Sequence, residues 1–215
     1  MDFWEYLGSR RERLEFETWQ HASMVFQCVL AALVIGLLIG LAVYRNGRLS
    51  AVATSTAGVV FTVPSLALLG LLITPLGLGV APSVVALTLY SLLPIVRNTI
   101  VGLSGVDRTL VDAARGIGMT RTAILLRIEL PLAWPVILTG VRVSTQLAMG
   151  IAAIAAYVSG PGLGEQIFSG LARLGGANAI NMTLAGTVLI IILALLFDGC
   201  FVLIGRLTTP RGVRV

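Results

Sequence analysis

Residues 107–131 read DRTLVDAARGIGMTRTAILLRIELP, and this charged segment stands between two long apolar blocks of the chain. Asp107 and Thr120 are residue types that cap helices, because their side-chain oxygens accept hydrogen bonds from the unpaired N–H groups of a first turn. Gly118 can end the first helix in a left-handed turn, and Pro131 is expected to stop the second. The segment therefore predicts two short helices joined by a Gly-Met-Thr turn.

The first of these helices carries a small apolar face among its charges. Its members recur at helical spacing and are Leu110, Ala113, Ala114 and Ile117. A charged helical hairpin with such a face, set between membrane spans, is suited to docking on a soluble partner. The alternative is an ordinary amphipathic loop at the membrane surface.

The composition indicates an all-α integral membrane protein. Of 215 residues, 57% are hydrophobic and 12% are charged, and this charged share is about half that of soluble domains. Long apolar runs recur along the chain, and its length suits a single membrane domain. All 15 basic residues are arginine. Because a P-loop needs a lysine to reach the phosphates, the chain is not expected to be a conventional P-loop ATPase, and any ATP hydrolysis would belong to another subunit.

No enzyme active site or metal centre is predicted. His21 is the only histidine, so a zinc or di-iron site lacks ligands, and it is interpreted as an interfacial residue at a span end. Cys28 and Cys200 lie in apolar runs and are interpreted as buried small side chains rather than a disulfide. Catalytic residues, bound cofactors and metals are therefore all expected to be absent.

Five apolar runs predict about five transmembrane helices, preceded by an interfacial segment over residues 1–21. The runs cover residues 22–44, 50–73, 82–103, 132–157 and 180–205. They form one membrane domain, 22–206, followed by a cytoplasmic tail, 207–215. Pro64 is expected to kink the second span, because it removes a backbone donor. Gly36 and Gly40 fit either a close helix contact or generic packing.

Three polar features inside or beside the spans have structural interpretations. Asp198 is expected to pair with an arginine near the inner face, either Arg206 or Arg142. Arg97 is interpreted as structural or interfacial, since its long side chain can reach the membrane surface. The glycine-rich loop 159–179 is predicted to hold a turn beside a short surface or re-entrant helix through Ile167-Phe168.

The distribution of arginine predicts the orientation. The Arg45–Arg48 turn, the 107–131 segment and the C-terminal tail are basic and share one side if there are five spans. The loops 74–81 and 158–179 carry almost no basic charge and fall on the other side. The N-terminus is therefore predicted outside and the C-terminus in the cytoplasm. Because the arginines lie at span ends, they indicate membrane topology rather than nucleic-acid binding.

The 107–131 segment resembles the EAA loop of ABC-importer permeases. Asp112-Ala113-Ala114, Gly118 and Ile128-Glu129-Leu130-Pro131 match that motif in order and spacing, with Asp112 where glutamate is usual. In that family the loop is a cytoplasmic coupling helix that sits in a groove on the ATP-hydrolysing subunit. The resemblance implies that the ATPase-coupling residues are Asp112, Ala113, Ala114, Gly118, Ile128, Leu130 and Pro131.

Three longer runs resemble the permeases of glycine betaine, carnitine, choline and proline betaine importers. They are Phe61 to Leu72, Leu89 to Leu103 and Asp112 to Thr120, while Tyr157 to Gly164 departs from the family's run of glycines. This resemblance implies a type I ABC-importer permease in the cell's inner membrane, working by alternating access. It also implies ABC ATPases that use ATP-Mg, a second permease subunit, identical or different, and a separate extracytoplasmic binding protein.

The sequence contains a few candidate residues for the pathway of such a solute. Quaternary ammonium groups are held by aromatic faces, and because the spans are poor in aromatic residues, affinity is expected to reside in the binding protein. The candidate hydroxyls and amides of the path are Thr62, Ser65, Tyr90, Asn98 and Gln146, and the alternative for each is hydrogen bonding between helices. The other functions left open are import of another small solute, such as methionine, and a non-transporting membrane scaffold.

Overall fold

The computed structural model describes residues 2–208, and this part of the chain is built from helices without any strand. In chain order the helices are α1 Phe3–Ser9, α2 Arg11–Val43, α3 Gly47–Thr62, α4 Ser65–Leu76, α5 Val80–Ser104, α6 Arg108–Gly116, α7 Arg121–Ile124, α8 Leu130–Ala155, α9 Gly164–Ala172 and α10 Ala179–Thr208. A π-helical turn, Leu125–Glu129, joins α7 to α8, and a 3-10 turn, Ala156–Val158, follows α8. The predicted all-α class is confirmed.

The number of membrane-crossing helices also agrees with the prediction. Four units are long and apolar enough to span, namely α2, α5, the continuous unit Arg121–Val158, and α10. Helices α3 and α4 form a fifth span if the bent pair is counted as one. The N-terminal segment differs from the expectation, because residues 11–21 continue directly into the first span as part of α2. Arg211 and Arg214 of the predicted tail lie outside the described residues.

The second span is broken rather than gently kinked. Helices α3 and α4 meet at an angle of 92° across Val63 and Pro64. Proline cannot donate a backbone hydrogen bond, so a carbonyl at the break needs another partner. The hydroxyl of Tyr90, on α5, donates to the Val63 carbonyl, and the Tyr90 ring packs edge-on against Phe61 with centroids 6.0 Å apart. The neighbouring helix α5 thus supplies a hydrogen-bond donor to a carbonyl at the break.

Glycines allow the central helices α2, α5 and α8 to approach closely. A Cβ on Gly36 of α2 would lie 2.6 Å from Ile95 Cγ2 of α5, and one on Gly140 of α8 would lie 2.7 Å from the Pro94 carbonyl of α5. Real Cβ atoms do not approach other heavy atoms this closely. The glycine pair of the first span therefore marks a close helix contact rather than generic packing, the other alternative left open by the sequence.

The prediction that Pro131 stops a helix is wrong. Pro131 lies in the first turn of α8, and the backbone runs helically through Arg121–Val158. The π turn supplies the reason, since the Leu130 N–H donates to the Leu125 carbonyl, one residue further back than in an α-helix. Such a change of register leaves a carbonyl unpaired, so a proline without an N–H is tolerated there.

The end of the bundle opposite α6 and α7, called here the loop end, is closed by the turns before α5 and α9. The Gly79 N–H donates to the Val158 carbonyl at 2.8 Å, and the short helix α9 contains the predicted Ile167-Phe168 pair. His21 is fully buried there, with Nε2 3.2 Å from the Met149 carbonyl. Its predicted interfacial position is therefore wrong, because residues 156–164 fold back over it.

A buried polar network ties α9 to the N-terminal helices at the loop end. The Tyr6 hydroxyl donates to Gln166 Oε1 at 2.9 Å, and Gln166 Nε2 donates to Glu17 Oε2 at 2.7 Å. Arg13 then bridges Glu17 and Glu165, with a distance of 2.7 Å to each. Because Gln166 is only 1% exposed, each polar atom of its amide depends on these partners.

Candidate functional site

The two helices predicted from the 107–131 segment are α6 and α7, and their caps are those expected. The Asp107 carboxylate accepts from the Thr109 N–H at 2.8 Å, and the Thr120 hydroxyl accepts from the Ala123 N–H at 3.3 Å. The bond to the Thr109 amide holds the pKa of Asp107 below its ordinary value. Gly118 has φ +85°, so the turn between the helices uses the left-handed region. We call this pair the hairpin.

The inner face of the hairpin has a small core of its own. Val111 and Ala114 of α6 and Ile124 of α7 are buried together, and Ile128 of the π turn packs against them. Two motif residues, Ala114 and Ile128, therefore hold the two short helices together. Leu130 instead packs on the neighbouring cluster around Leu103 and Ala133.

The outer face of α6 remains apolar and exposed. Leu110, Ala113 and Ile117 point away from the hairpin core, and Ile117 is 81% exposed. The predicted apolar face is thus divided, with Ala114 inside and the other three outside. Within residues 2–208 nothing covers these three side chains, so the outer face is available to a partner.

Charged side chains surround this apolar face. Asp112 pairs with Arg115 at 3.1 Å, and both are well exposed. The other exposed arginines of the hairpin and the π turn are Arg108, Arg121 and Arg127. An apolar centre with a mainly basic rim is complementary to a groove with an acidic rim.

Glu129 is the anchor of the hairpin on the bundle, and the sequence reasoning missed it. It is 6% exposed and accepts from the Tyr44 hydroxyl at 2.7 Å and from Arg45 at 3.1 Å. Burial, together with the hydrogen bond to Glu129, raises the pKa of Tyr44 to about 12. A carboxylate placed between Ile128 and Leu130 was the available indication that it needed a buried partner.

A cavity of about 440 Å³ separates α6 from the end of the bundle. Its walls are the Tyr44-Arg45 turn, Ser104 at the end of α5, and the Arg108 and Arg115 side of α6. The hairpin is therefore held at one side by Glu129 and its core but is not packed against the bundle across its whole inner surface.

The five candidate pathway residues are not brought together in one site. Thr62 bonds to the Val59 carbonyl of its own helix at 2.7 Å, and Asn98 bonds to the Pro94 carbonyl of its own helix at 2.8 Å. Tyr90 is buried at the α3–α4 break. Ser65 is the half-buried first residue of α4, and Gln146 is exposed on α8.

The structure also places the intramembrane acid, the span arginine and the two cysteines whose roles were predicted from the sequence. Asp198 pairs with Arg142 through two hydrogen bonds, which confirms one of its two predicted partners. Arg97 is exposed near the hairpin end of α5. Cys28 is buried as expected, but Cys200 is exposed on α10, because few residues of α10 pack against the rest of the described chain.

Comparison with known proteins agrees with this architecture. Residues 32–209 match the family described as binding-protein-dependent transport system inner membrane component. The chain is 37% identical, over the full length of both chains, to the osmoprotectant import permease protein OsmW of Salmonella typhimurium. It is 34% identical to the glycine betaine/carnitine/choline transport system permease protein OpuCB of Bacillus subtilis, covering 97% of this chain and 94% of that one.

A solved structure with the same fold is that of the MetNI methionine ABC transporter in inward-facing conformations. The TM-score is 0.78 at 24% identity, with 92% of this chain and 96% of that chain covered. At this level of identity the likeness shows the fold alone.

Proposed function

Because the chain belongs to the family of binding-protein-dependent transport system inner membrane components, we propose that it is the permease of an ATP-driven importer for osmoprotectants of the quaternary amine class. The solutes are glycine betaine, carnitine, choline and proline betaine. Two relatives support this class of solute, OsmW and OpuCB, and the chain aligns with each over nearly its whole length. Their names refer to osmoprotectants or to glycine betaine, carnitine and choline.

The coupling surface is the outer face of α6. Leu110, Ala113 and Ile117 enter a groove on the partner ATPase, and the surrounding arginines meet its acidic rim. Asp112 and Gly118 shape this surface through the pair with Arg115 and the left-handed turn. This exposed apolar face, on a hairpin held by its own core, is the single observation that carries the coupling role.

The chain itself binds no cofactor and has no ATPase site; the partner ATPases use ATP-Mg. Two permeases, identical or different, enclose the pathway, and closure of the ATPases moves both hairpins in an alternating-access cycle. The hairpin end faces the cytoplasm and the N-terminus lies outside, in line with the basic residues gathered at the hairpin end. An extracytoplasmic binding protein delivers the solute at the loop end and supplies most of the affinity.

Cross-linking tests the coupling surface directly. Ala113→Cys, in a Cys200→Ser background, is paired with cysteines along the groove of the copurified ATPase. Leu174→Cys is the matched control, since Leu174 is also exposed but lies at the loop end. We expect cross-links from the Ala113 position only. Equal or absent cross-linking at both positions would overturn the coupling role.

The transport role is tested by uptake in the assembled importer. Asp112→Arg and Gly118→Pro are expected to leave membrane insertion intact and to uncouple ATP hydrolysis from uptake.

The solute class is tested by titrating the partner binding protein with glycine betaine, carnitine, choline and methionine. Retention of methionine alone would replace the proposed class by an amino acid.

A further inference from the structure

An ion pair between α8 and α10 is partly open to the surroundings. Arg142 forms two hydrogen bonds with Asp198, and Gln146 Nε2 donates to Asp198 Oδ1 at 3.0 Å. The Arg142 side chain is 42% exposed and that of Asp198 is 24% exposed. The three side chains form a polar cluster on the outside of this single chain.

The cluster lies within the apolar lengths of both helices, away from their ends. Arg142 is twelve residues after Leu130 and Asp198 is ten residues before Thr208. At 1.5 Å per residue these positions are about 18 and 15 Å from the hairpin end. Since the hydrocarbon layer is about 30 Å thick, a lipid-facing position here would expose the pair to acyl chains.

The surface of α8 beside the cluster is not of the kind that faces lipid. Its exposed residues recur on one side of the helix and are small or polar, apart from one valine: Thr139, Val143, Gln146 and Gly150. The exposed surface of α10 is different in composition, with Ile191, Ile192, Leu195 and Leu196. The same bundle thus presents one surface suited to lipid and one that is not.

Charged and polar groups at this depth face water or protein, because exposure to hydrocarbon is costly. We infer that Arg142, Asp198 and the α8 face from Thr139 to Gly150 form a wall of the water-filled solute path, and that the ion pair is the contact for a zwitterionic solute. This inference rests on the proposed function. It adds a charged contact, the pair of Arg142 and Asp198, to the candidate path residues predicted from the sequence.

The chemistry of the pair suits a solute with two opposite charges. The guanidinium of Arg142 can donate hydrogen bonds to a carboxylate. The carboxylate of Asp198 can attract a quaternary ammonium through its charge. Because the pair is neutral as a whole, it offers contacts to both ends of a betaine. It binds each end more weakly than an unpaired charge would. Weak contacts of this kind allow the solute to leave again.

Cysteine labelling tests whether water reaches this wall. Thr139→Cys and Gln146→Cys are compared with the control Leu196→Cys, which lies on the side of α10 opposite Asp198, in the complete importer with Cys200→Ser; Cys28 is fully buried and stays. Because maleimides react with thiolates formed in water, we expect the two wall positions to react about tenfold faster than the control with a membrane-impermeant reagent. Labelling as slow as that of Leu196→Cys would overturn the inference.

A second variant separates contact with the solute from a structural ion pair. Arg142→Gln combined with Asp198→Asn keeps hydrogen-bonding groups and removes both charges. At matched membrane abundance and saturating binding protein, we expect uptake of glycine betaine to fall about tenfold, since its charged partners are lost. Unchanged uptake would show that the pair is only structural.

The two proposals fail in different ways. If the Cys200→Ser background transports glycine betaine but the wall positions do not react, the inference fails and the proposed function stands. If the background complex, with all partners present, transports none of the four quaternary amines, the proposed function fails regardless of the labelling result.

Discussion

The two ends of this bundle are closed in different ways, the hairpin end by α6 and α7 and the loop end by the turns before α5 and α9. At the loop end, glycines seat residues 156–164 against the helices, and Gln166 is buried in a continuous polar network. At the hairpin end, one buried carboxylate, Glu129, and a core of a few side chains carry the attachment, and Ile117 is left in solvent. The difference is that residues 156–164 are closely packed at the loop end, whereas the outer face of α6 stays exposed at the hairpin end.

The sharpest way to test this difference uses two glycines with positive φ. Gly162 has φ +119° and a Cβ there would lie 2.9 Å from His21 Nδ1, whereas Gly118 has φ +85° with no atom within 4 Å. Gly118→Ala is expected to cost about 1–2 kcal/mol of backbone strain. Gly162→Ala adds an overpacking cost of about 1–3 kcal/mol.

Thermal unfolding of the detergent-solubilised complex measures both variants. Gly162→Ala should lower the midpoint more than Gly118→Ala, and its membrane abundance should fall. Equal shifts would mean that the loop end is no better packed than the hairpin.

The next effect in size is expected in the polar network. Gln166→Ala leaves the Tyr6 hydroxyl and Glu17 without their shared partner, which costs about 1–3 kcal/mol for buried groups. Arg11→Ala is the matched control, because its ion pair with Glu15 is well exposed and such pairs contribute about 0–1 kcal/mol. A chemical unfolding curve of each variant separates the two, and a control that loses as much stability as Gln166→Ala would refute the role of burial.

A smaller effect is expected at the attachment of the hairpin. Tyr44→Phe removes one hydrogen bond to Glu129 and should cost about 1 kcal/mol, since Arg45 still pairs with that carboxylate. The pKa of Tyr44 is raised from 10.0 to about 12, so the folded state holds this proton more tightly. Its contribution is therefore complete below pH 10 and is lost as pH rises towards 12.

Unfolding of wild type and Tyr44→Phe across pH 8–12 checks this window. The difference between them should shrink only in the upper half of the range. A difference that is constant with pH would show that Tyr44 does not lose its proton while bonded to Glu129.

The smallest effect on stability is expected on the outer face of α6. Ile117→Asp should change the free energy of unfolding by less than about 0.5 kcal/mol, as for other exposed positions, yet it should strongly reduce uptake by weakening the ATPase contact. Val111→Asp is the buried counterpart on the same helix and should destabilise the hairpin itself. Normal uptake by the Ile117 variant at normal abundance would remove the outer face from the coupling surface.

The sequence predicted the elements that depend on local chemistry. Apolar run length located the spans, and capping residues Asp107 and Thr120 located the two hairpin helices, because these features act within a few residues. The pairing of Asp198 with Arg142 followed from the cost of an unpaired charge in a membrane.

The features that were missed depend on distant segments or on an unusual backbone. Pro131 was expected to stop a helix because the π turn before it has no sequence pattern that distinguishes it from an α-turn. His21 was expected at the surface because its cover comes from residues 156–164, more than a hundred positions away. The buried role of Glu129 depends on Tyr44 and Arg45, which only the packed bundle brings near it.

The π turn before Pro131 has a mechanical consequence. Because it keeps the backbone helical, Arg121–Val158 is one rod of 38 residues, about 57 Å long at 1.5 Å per residue. One end of this rod is the second arm of the hairpin, its middle carries Gln146, and its far end meets the turn that covers His21. Tilting such a lever by about 5° around one end displaces the other by about 5 Å. In the proposed cycle, a displacement of the hairpin is therefore transmitted to the loop end through one continuous helical unit.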